Sequence, residues 1–403
     1  MHREGGIPTK QPLAGIKILD LSRALAGPYC TMMLADMGAE VIKVESPGTG
    51  DDSRGWGPPF IEGESAYFMS INRNKKSITL NMKHGKAKEV INKLIMQSDV
   101  VVENFRPGAM ERLGLGYEKV KEMNPRIIYC SISGFGQDGP YRELPGFDQV
   151  LQGMGGLMSI TGEPGRPPVK VGVAIADISG GMFAAYGIVV ALYNREKTGK
   201  GQMIDISLLD SQVAWLTYRA GSYFASGEIP EPVGSGHPVI VPYQAFKAKD
   251  CFINIAVGND QLWQKFCDAV GLEKTKNDPR FATNAKRVEN REAVVKIISD
   301  LIATKTGEEW LKIITDAGVP CGPIYTLDKI FADPQVLHRE MMVELKHPKA
   351  GKIKVTGNPV KLSDTPGEIK TSPPMLGQHT EEILTQLGYN RQDVDKMRQE
   401  KAL

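Results

Sequence analysis

The first hundred residues constrain the fold most, because they alternate between two periodicities. Residues 16–21 (Ile-Lys-Ile-Leu-Asp-Leu) form the short apolar run of a buried strand. Residues 29–38 carry Met32, Met33, Leu34 and Met37 at helical spacing, and the Val-Ile-Lys-Val run within residues 40–45 reads as a second strand. Two strands joined by one helix make a βαβ unit, whose strands lie parallel because the chain must cross a sheet face to return. The pattern continues with a strand at 77–81, an amphipathic helix at 85–97, and strands at 99–102 and 127–131. A mostly helical stretch at 154–192 and a strand at 203–207 follow. Such repetition predicts an α/β fold: a Rossmann-like, doubly wound parallel sheet.

The texture changes near residue 228, where Pro230, Pro232, Gly234, Gly236 and Pro238 crowd into one loop. A strand at 252–256 and several charged helices follow. The expected organisation is a large domain begun by residues 1–225, a smaller α+β domain at 226–330, and a return to the large domain over 331–403. The net charge of +2 argues against a dedicated nucleic-acid binder. Cys30, Cys130, Cys251, Cys267 and Cys321 are scattered and form no C-x-x-C pair, which fits a reducing compartment and no metal site. Residues 182–192 are the longest apolar stretch, about half of the ~20 residues a membrane helix needs; a buried core helix is expected there. With no secretory-type apolar region at the start, a cytoplasmic location and no membrane partner are expected.

A dinucleotide-binding sheet would carry G-x-G-x-x-G after its first strand. Here that loop reads Leu21-Ser22-Arg23-Ala24-Leu25-Ala26-Gly27-Pro28, with one glycine, and no phosphate-loop lysine motif exists elsewhere. Other loops suit a phosphate-bearing ligand. Glu45-Ser46-Pro47-Gly48-Thr49-Gly50-Asp51 follows the second strand, and Glu103-Asn104-Phe105-Arg106-Pro107-Gly108 follows the strand ending at Val102. Ligands of open α/β sheets sit at the carboxyl ends of strands. Phe105 offers a ring for a base, and Arg106 or Arg112 a guanidinium for a phosphate. Arg54 and Lys75 are further cations that could reach one, with a solvated surface face as the plainer reading.

Taken together these segments resemble the class III CoA-transferases, the formyl-CoA and carnitine CoA-transferase family. The matching motifs span almost the whole chain: the loop ending Gly27-Pro28; Val41-Ile42-Lys43-Val44-Glu45 to Gly50-Asp51; Asn72-Arg73-Asn74-Lys75-Lys76-Ser77; and Glu103-Asn104-Phe105-Arg106-Pro107-Gly108. They continue through Ser133-Gly134-Phe135-Gly136, Pro145-Gly146-Phe147-Asp148, Ala176-Asp177-Ile178-Ser179-Gly180-Gly181, Thr198-Gly199-Lys200-Gly201-Gln202 and Leu376-Gly377-Gln378-His379-Thr380. The resemblance implies an enzyme that moves coenzyme A from an acyl-CoA, plausibly succinyl-CoA, to a free carboxylic acid, with no metal. It places the nucleophile on Asp177, the CoA contacts on Ala24, Ser46, Leu80, Asn104, Phe105 and Arg112, and a glycine-rich flap on Gly234, Ser235 and Gly236. It also implies two chains interlocked as rings, a homodimer or a heterodimer with a related chain. Leu25 stands where the formyl-CoA branch has glutamine, and Ser235 interrupts an all-glycine flap; both speak against a formyl/oxalyl substrate pair, and Leu25 suits a bulkier or more apolar acyl group.

The chemistry asks for a carboxylate that attacks a thioester and is displaced again, in a site that keeps water from the anhydride. Gly180-Gly181 would let another backbone or an acyl chain come close, and N–H groups there could meet an oxyanion. Asp177 also suits a helix N-cap, and Asp148 either substrate positioning or a cap. Two alternatives stand beside transfer. An α-methylacyl-CoA racemase-like enzyme would need a histidine base where this chain has Phe147, and no histidine occurs between His84 and His237. A non-catalytic subunit of a heteromeric transferase would retain the fold without the activity.

Overall fold

Six short apolar segments pair into one parallel sheet in the computed structural model, which describes residues 11–403. They are β1 (Lys17–Asp20), β2 (Glu40–Glu45), β3 (Lys75–Thr79), β4 (Val100–Glu103), β5 (Ile128–Ser133) and β6 (Met203–Ser207). Their order across the sheet is β3-β2-β1-β4-β5-β6, all parallel. Strand order therefore reverses between β1 and β4, which opens a crevice where their carboxyl-end loops diverge. The crossover helices are amphipathic or buried and cover both faces. α1 (Ala26–Asp36) joins β1 to β2, and α2 (Gly85–Gln97) joins β3 to β4. The short α3 (Ala109–Leu113) follows β4. Past β5 come α4 (Asp148–Met154) and α5 (Ile175–Thr198), and α6 (Leu208–Trp215) follows β6. One core cluster packs α2 on one face around Leu19, Ile78, Val101 and Tyr129; a second packs α1 and α5 on the other around Ile18, Val41, Val102 and Ile132.

The helical reading of 154–192 is corrected in its middle. Residues 161–174 are loop, and α5 starts only at Ile175. Pro164, Pro167 and Pro168 explain this, because each proline denies the helix a donor and bars α geometry to its predecessor. α5 is long and apolar enough to cross a membrane by length and composition, yet half of that span is buried inside the protein. Gly180 and Gly181 lie on the buried side. A Cβ on Gly181 would stand 2.6 Å from the Ala26 carbonyl oxygen, and one on Gly180 2.2 Å from Leu208. The glycines thus serve close packing of α5 on α1 and α6.

The chain divides into two units. The sheet unit comprises the chain up to Leu157, Val171–Ala220 and Pro334–Leu403. The second comprises Met158–Lys170 and Gly221–Asp333, so a stretch the sequence reading left in the large domain falls in the second unit. The second unit holds an antiparallel sheet of β7 (Tyr243–Lys247), β8 (Phe252–Ala256) and β9 (Cys321–Pro323), with β8 in the centre. α7 (Asp260–Val270), α8 (Arg291–Ile302) and α9 (Gly307–Asp316) pack on it around Trp263, Phe266 and Trp310. In the sheet unit, the returning chain adds the hairpin β10 (Met342–His347) and β11 (Gly351–Thr356), then α10 (Thr380–Gln386) and α11 (Arg391–Gln399). All five cysteines are free, and burial pushes the Cys30 and Cys130 thiols up.

Candidate active site

Around the carboxyl ends of β1 and β2 and the start of β3 lies a buried ionic network. Lys75 Nζ stands 3.1 Å from Asp20 Oδ2, and Lys43 Nζ 2.8 Å from Asp51 Oδ2, with all four side chains fully buried. Burial alone would raise the Asp20 carboxyl, but Lys75 and Lys43 outweigh it and hold the pKa at about 2. Lys75 is brought down to about 8, chiefly by burial. Arg54 grips Glu45 through two bonds of 2.6 and 2.7 Å and lies 3.6 Å over the Phe68 ring. Neither Lys75 nor Arg54 is therefore a surface cation awaiting a phosphate. The network instead fixes the loops. Asp51 Oδ1 accepts from the Ala24 N–H at 3.1 Å, holding Ala24 at φ 62°, a conformation L-residues disfavour.

Asn104 is a second fixture. Its Oδ1 accepts from the Arg23 N–H and its Nδ2 donates to the Arg23 carbonyl, both at 2.8 Å. The side chain clamps the loop after β1 to the loop after β4. Glu103, buried, accepts from the Phe105 N–H at 2.8 Å and from the Ser131 hydroxyl, which in turn accepts from Gln137 Nε2. Burial raises the Glu103 carboxyl to about 7 against these bonds.

These loops enclose a cavity of about 700 Å³ lined by Arg23, Ser46, Asn81, Lys83, Phe105 and Arg112, among others. The Arg23 guanidinium lies 5.1 Å from the centre of the Phe105 ring. Of the positions expected to touch CoA, Ser46, Phe105 and Arg112 line the cavity directly. Asn104 shapes it from behind, and Ala24 adjoins the lining Arg23. Leu80 is different: its side chain is 1% exposed in the core, so only its backbone can face a ligand. A smaller cavity of about 180 Å³ lies on the other side of Phe105, lined by Asn104, Arg106, Arg142, Gly146 and Phe147. Gly134 and Gly146 meet there backbone to backbone, since a Cβ on Gly134 would stand 2.8 Å from the Gly146 Cα. This contact sets Phe147-Asp148 beside the end of β5.

Asp177 sits in the first turn of α5, three residues past the Ala174 cap. The capping job falls to Asp148, whose Oδ1 accepts from the Ala176 N–H at 2.8 Å. Asp148 is held by Gln152, which donates to Asp148 Oδ2 at 2.8 Å while its own Oε1 accepts from the Val171 N–H. Sequence reading missed Gln152; its place one helical turn after Asp148 was the available signal. The Asp177 carboxyl, half-buried, makes no side-chain hydrogen bond among the described residues. Burial first, and the like charge of Asp148 second, raise it from 3.8 to about 7. Beside it an apolar cluster gathers Leu25, Met32 and Ile71 with Tyr29, Tyr67, Ala174 and Ile178. Leu25 thus lies against the residues that flank Asp177. Tyr67, which no motif singled out, lies near both aspartates; burial and their charges push its hydroxyl up to about 12. Gly180 and Gly181 are in the second turn, where N–H groups are committed to the helix ladder; they do not form an oxyanion site.

Gly234, Ser235 and Gly236 lie in the second unit. Gly234 has φ 62° and donates to the Gly162 carbonyl at 2.9 Å. Ser235 Oγ accepts from the Ala245 N–H at 3.1 Å. A Cβ on Gly234 would stand 2.6 Å from a Glu163 carboxylate oxygen. His379 is structural, its Nδ1 accepting from the Ser77 N–H at 3.1 Å.

A parallel sheet with a cationic cavity at its switch point defines an α/β protein with a site suited to an anionic ligand. Comparison with known proteins gives the family. The model of CoA-transferase family III matches residues 13–380, and the chain belongs to that family. It is 46% identical over 377 residues to a human succinyl-CoA:glutarate CoA-transferase, covering 94% of this chain and 86% of the relative. It is 42% identical to a succinate–glutarate CoA-transferase of Agrobacterium fabrum, covering 94% and 96%. A crystal structure of a CAIB/BAIF family protein from Brucella suis superposes with a TM-score of 0.85 at 42% identity, covering 94% of this chain and 100% of that one. The protein is a CoA-transferase that uses acyl-CoA.

Proposed function

We propose that this enzyme carries CoA from succinyl-CoA to a small dicarboxylate of the glutarate type, with Asp177 as the covalent carrier. The observation that carries the mechanism is the Asp177 carboxyl: free of side-chain hydrogen bonds, raised toward neutrality and set against the Leu25 cluster. The donor and acceptor rest on the names of the relatives above. Leu25 supplies an apolar wall suited to a methylene chain.

The Asp177 carboxylate attacks the acyl carbonyl, the C–S bond breaks, and CoA thiolate leaves with the electron pair. The thiolate attacks the aspartyl carbonyl of the resulting anhydride and releases succinate, leaving an aspartyl-CoA thioester. The acceptor carboxylate then displaces the thiolate, forming a new anhydride. The thiolate attacks the acceptor's acyl carbonyl, yielding the new acyl-CoA and restoring Asp177. The cavity lined by Phe105 and Arg112 takes the nucleotide end of CoA, and the smaller cavity lined by Phe105 and Phe147, the neighbour of Asp148, takes its pantetheine arm. Gly234, Ser235 and Gly236 serve as the flap. Phe147, at the position of the racemase base, has no proton to move, which favours transfer over α-carbon exchange.

The outward face of α5 exposes Tyr186 at 69% and Tyr193 at 65%, with Met182, Val189 and Val190 also exposed. A second chain of this family, in an interlocked dimer, is the partner proposed to cover it. The activity is tested by incubating protein with succinyl-CoA and a panel of acids, with products read by mass spectrometry. Hydroxylamine should convert Asp177 to its hydroxamate only when acyl-CoA is present. Asp177→Ala retaining full transfer would overturn the mechanism.

A further inference from the structure

We infer that the turn after the last helix is a working wall of the acyl-CoA site and that Lys401 binds a phosphate of the bound CoA. The inference rests on reading the 700 Å³ cavity as the CoA site.

The cavity is lined by four cations, Arg23, Lys83, Arg112 and Lys401, and by no carboxylate. None of the four is paired with a carboxylate among the described residues. Four positive groups left without counter-charge around one concave space make a site for a multiply charged anion. Arg23 and Lys83 come from loops that follow sheet strands, and Arg112 from α3. Lys401 arrives from the far end of the sequence, and its position is built. The Asn81 N–H donates to the Ala402 carbonyl at 2.9 Å, and Asn81 Nδ2 to the Lys401 carbonyl at 3.3 Å. The Lys401 and Ala402 N–H groups return to Arg398 and Met397 of α11 at 3.0 and 2.9 Å. Ala402 is fully buried in the core that includes Leu80 and Met397. Lys401 itself is held at φ 59°, a left-handed conformation that L-residues disfavour. Anchored on both sides of Lys401, the turn directs an exposed ammonium into the cavity beside Lys83 and Arg112. No motif of the family resemblance extends to this turn.

The test compares wild type, Lys401→Ala, Lys401→Arg and Lys401→Gly for binding of CoA and of dephospho-CoA by calorimetry, and for KM and kcat with succinyl-CoA. Lys401→Ala and Lys401→Gly should each weaken CoA about 5- to 20-fold, the scale of one charge-assisted contact at an exposed site. KM should rise in step with kcat little changed, and Lys401→Arg should restore most of the affinity. A loss that disappears with dephospho-CoA assigns the contact to the 3′-phosphate; one that persists assigns it to the pyrophosphate. Glycine relieves the left-handed backbone, so a Lys401→Gly protein that binds CoA as wild type does would show the effect of alanine to be conformational and overturn the inference. Unchanged binding in all three variants would overturn it as well. A wild-type protein that bound no CoA would instead sink the assignment of the cavity.

Discussion

Changing Asp148 to Asn removes one of the two causes that hold the Asp177 carboxyl near neutrality while leaving the helix start capped. Asp148 Oδ1 accepts from the Ala176 N–H, and an asparagine carbonyl oxygen at that place accepts it equally, at the expense of the Gln152 Nε2 bond to Oδ2, which an asparagine NH2 cannot accept. Burial is the larger cause of the rise from 3.8 to about 7, and the Asp148 charge the smaller. Burial persists in the variant, so its Asp177 should titrate between those two values. Attack on a thioester needs the carboxylate. With a pKa of about 7, the ionised fraction is roughly one tenth a pH unit below and roughly one hundredth two units below, each unit being ~1.4 kcal/mol. Wild-type kcat/KM for succinyl-CoA should therefore climb from pH 5 and level off above pH 7. In Asp148→Asn the same limb should move to lower pH, and the variant should keep a larger share of its own plateau at pH 5.5, by up to about tenfold if the limb moves one unit. Initial rates across pH 5–9 at low substrate read this directly. An unmoved limb, or one displaced to higher pH, would refute the assignment of Asp148 as a charge acting on Asp177.

Four further outcomes follow from the geometry. Asp177→Asn should abolish transfer yet stabilise the protein at pH 8 by about 1–3 kcal/mol, discounted for the half-buried site from the ~4 kcal/mol of the full shift. A carboxyl raised in the fold stabilises when protonated and loses that contribution as pH rises through about 7, so the gain should vanish near pH 4 in urea titrations. Asn104→Ala removes both bonds to the Arg23 backbone and should cost about 1–3 kcal/mol in stability with a raised KM for acyl-CoA. Asp20→Asn leaves Lys75 and Lys43 buried beside a neutral group and should cost about 3–5 kcal/mol at pH 7. Because the Asp20 carboxyl is depressed to about 2, the wild type's advantage should shrink as pH falls from about 4 toward 2. Gly181→Ala would drive a methyl against the Ala26 carbonyl oxygen and should lower thermal stability by a few kcal/mol, measurable by calorimetry.

The sheet was legible because each strand is a short apolar run between turn residues, and buried parallel strands have that composition wherever they occur. β2, β6 and β8 were read to the residue and β1, β3, β4 and β5 to within two residues, whereas β7, β9 and β10 were not read as strands. The helix expected across 154–192 failed where apolar content outweighed the prolines at 164, 167 and 168. The loops bearing Ser46 and Phe105 were legible as neighbours because they follow strands, and strand ends in such sheets face one common edge; with Arg112 of α3 they line one cavity. That the Leu80 side chain enters the core was not legible, since a strand-end residue gives no sign of which sheet face it enters.

The sequence by itself determined the parallel α/β architecture, the edge of the sheet where the cationic cavity lies, and Asp177 as the proposed nucleophile. These depend on periodicity and on motifs within a few residues, which a linear chain displays. Only the tertiary structure decided what each charge does. Lys75 and Arg54 are locked in buried pairs, Asp148 takes the cap that Asp177 was free to take, and Lys401 reaches a cavity otherwise built more than 280 residues earlier in the chain. Burial and pairing across such separations exist only once the chain has folded, and they set the protonation of Asp177.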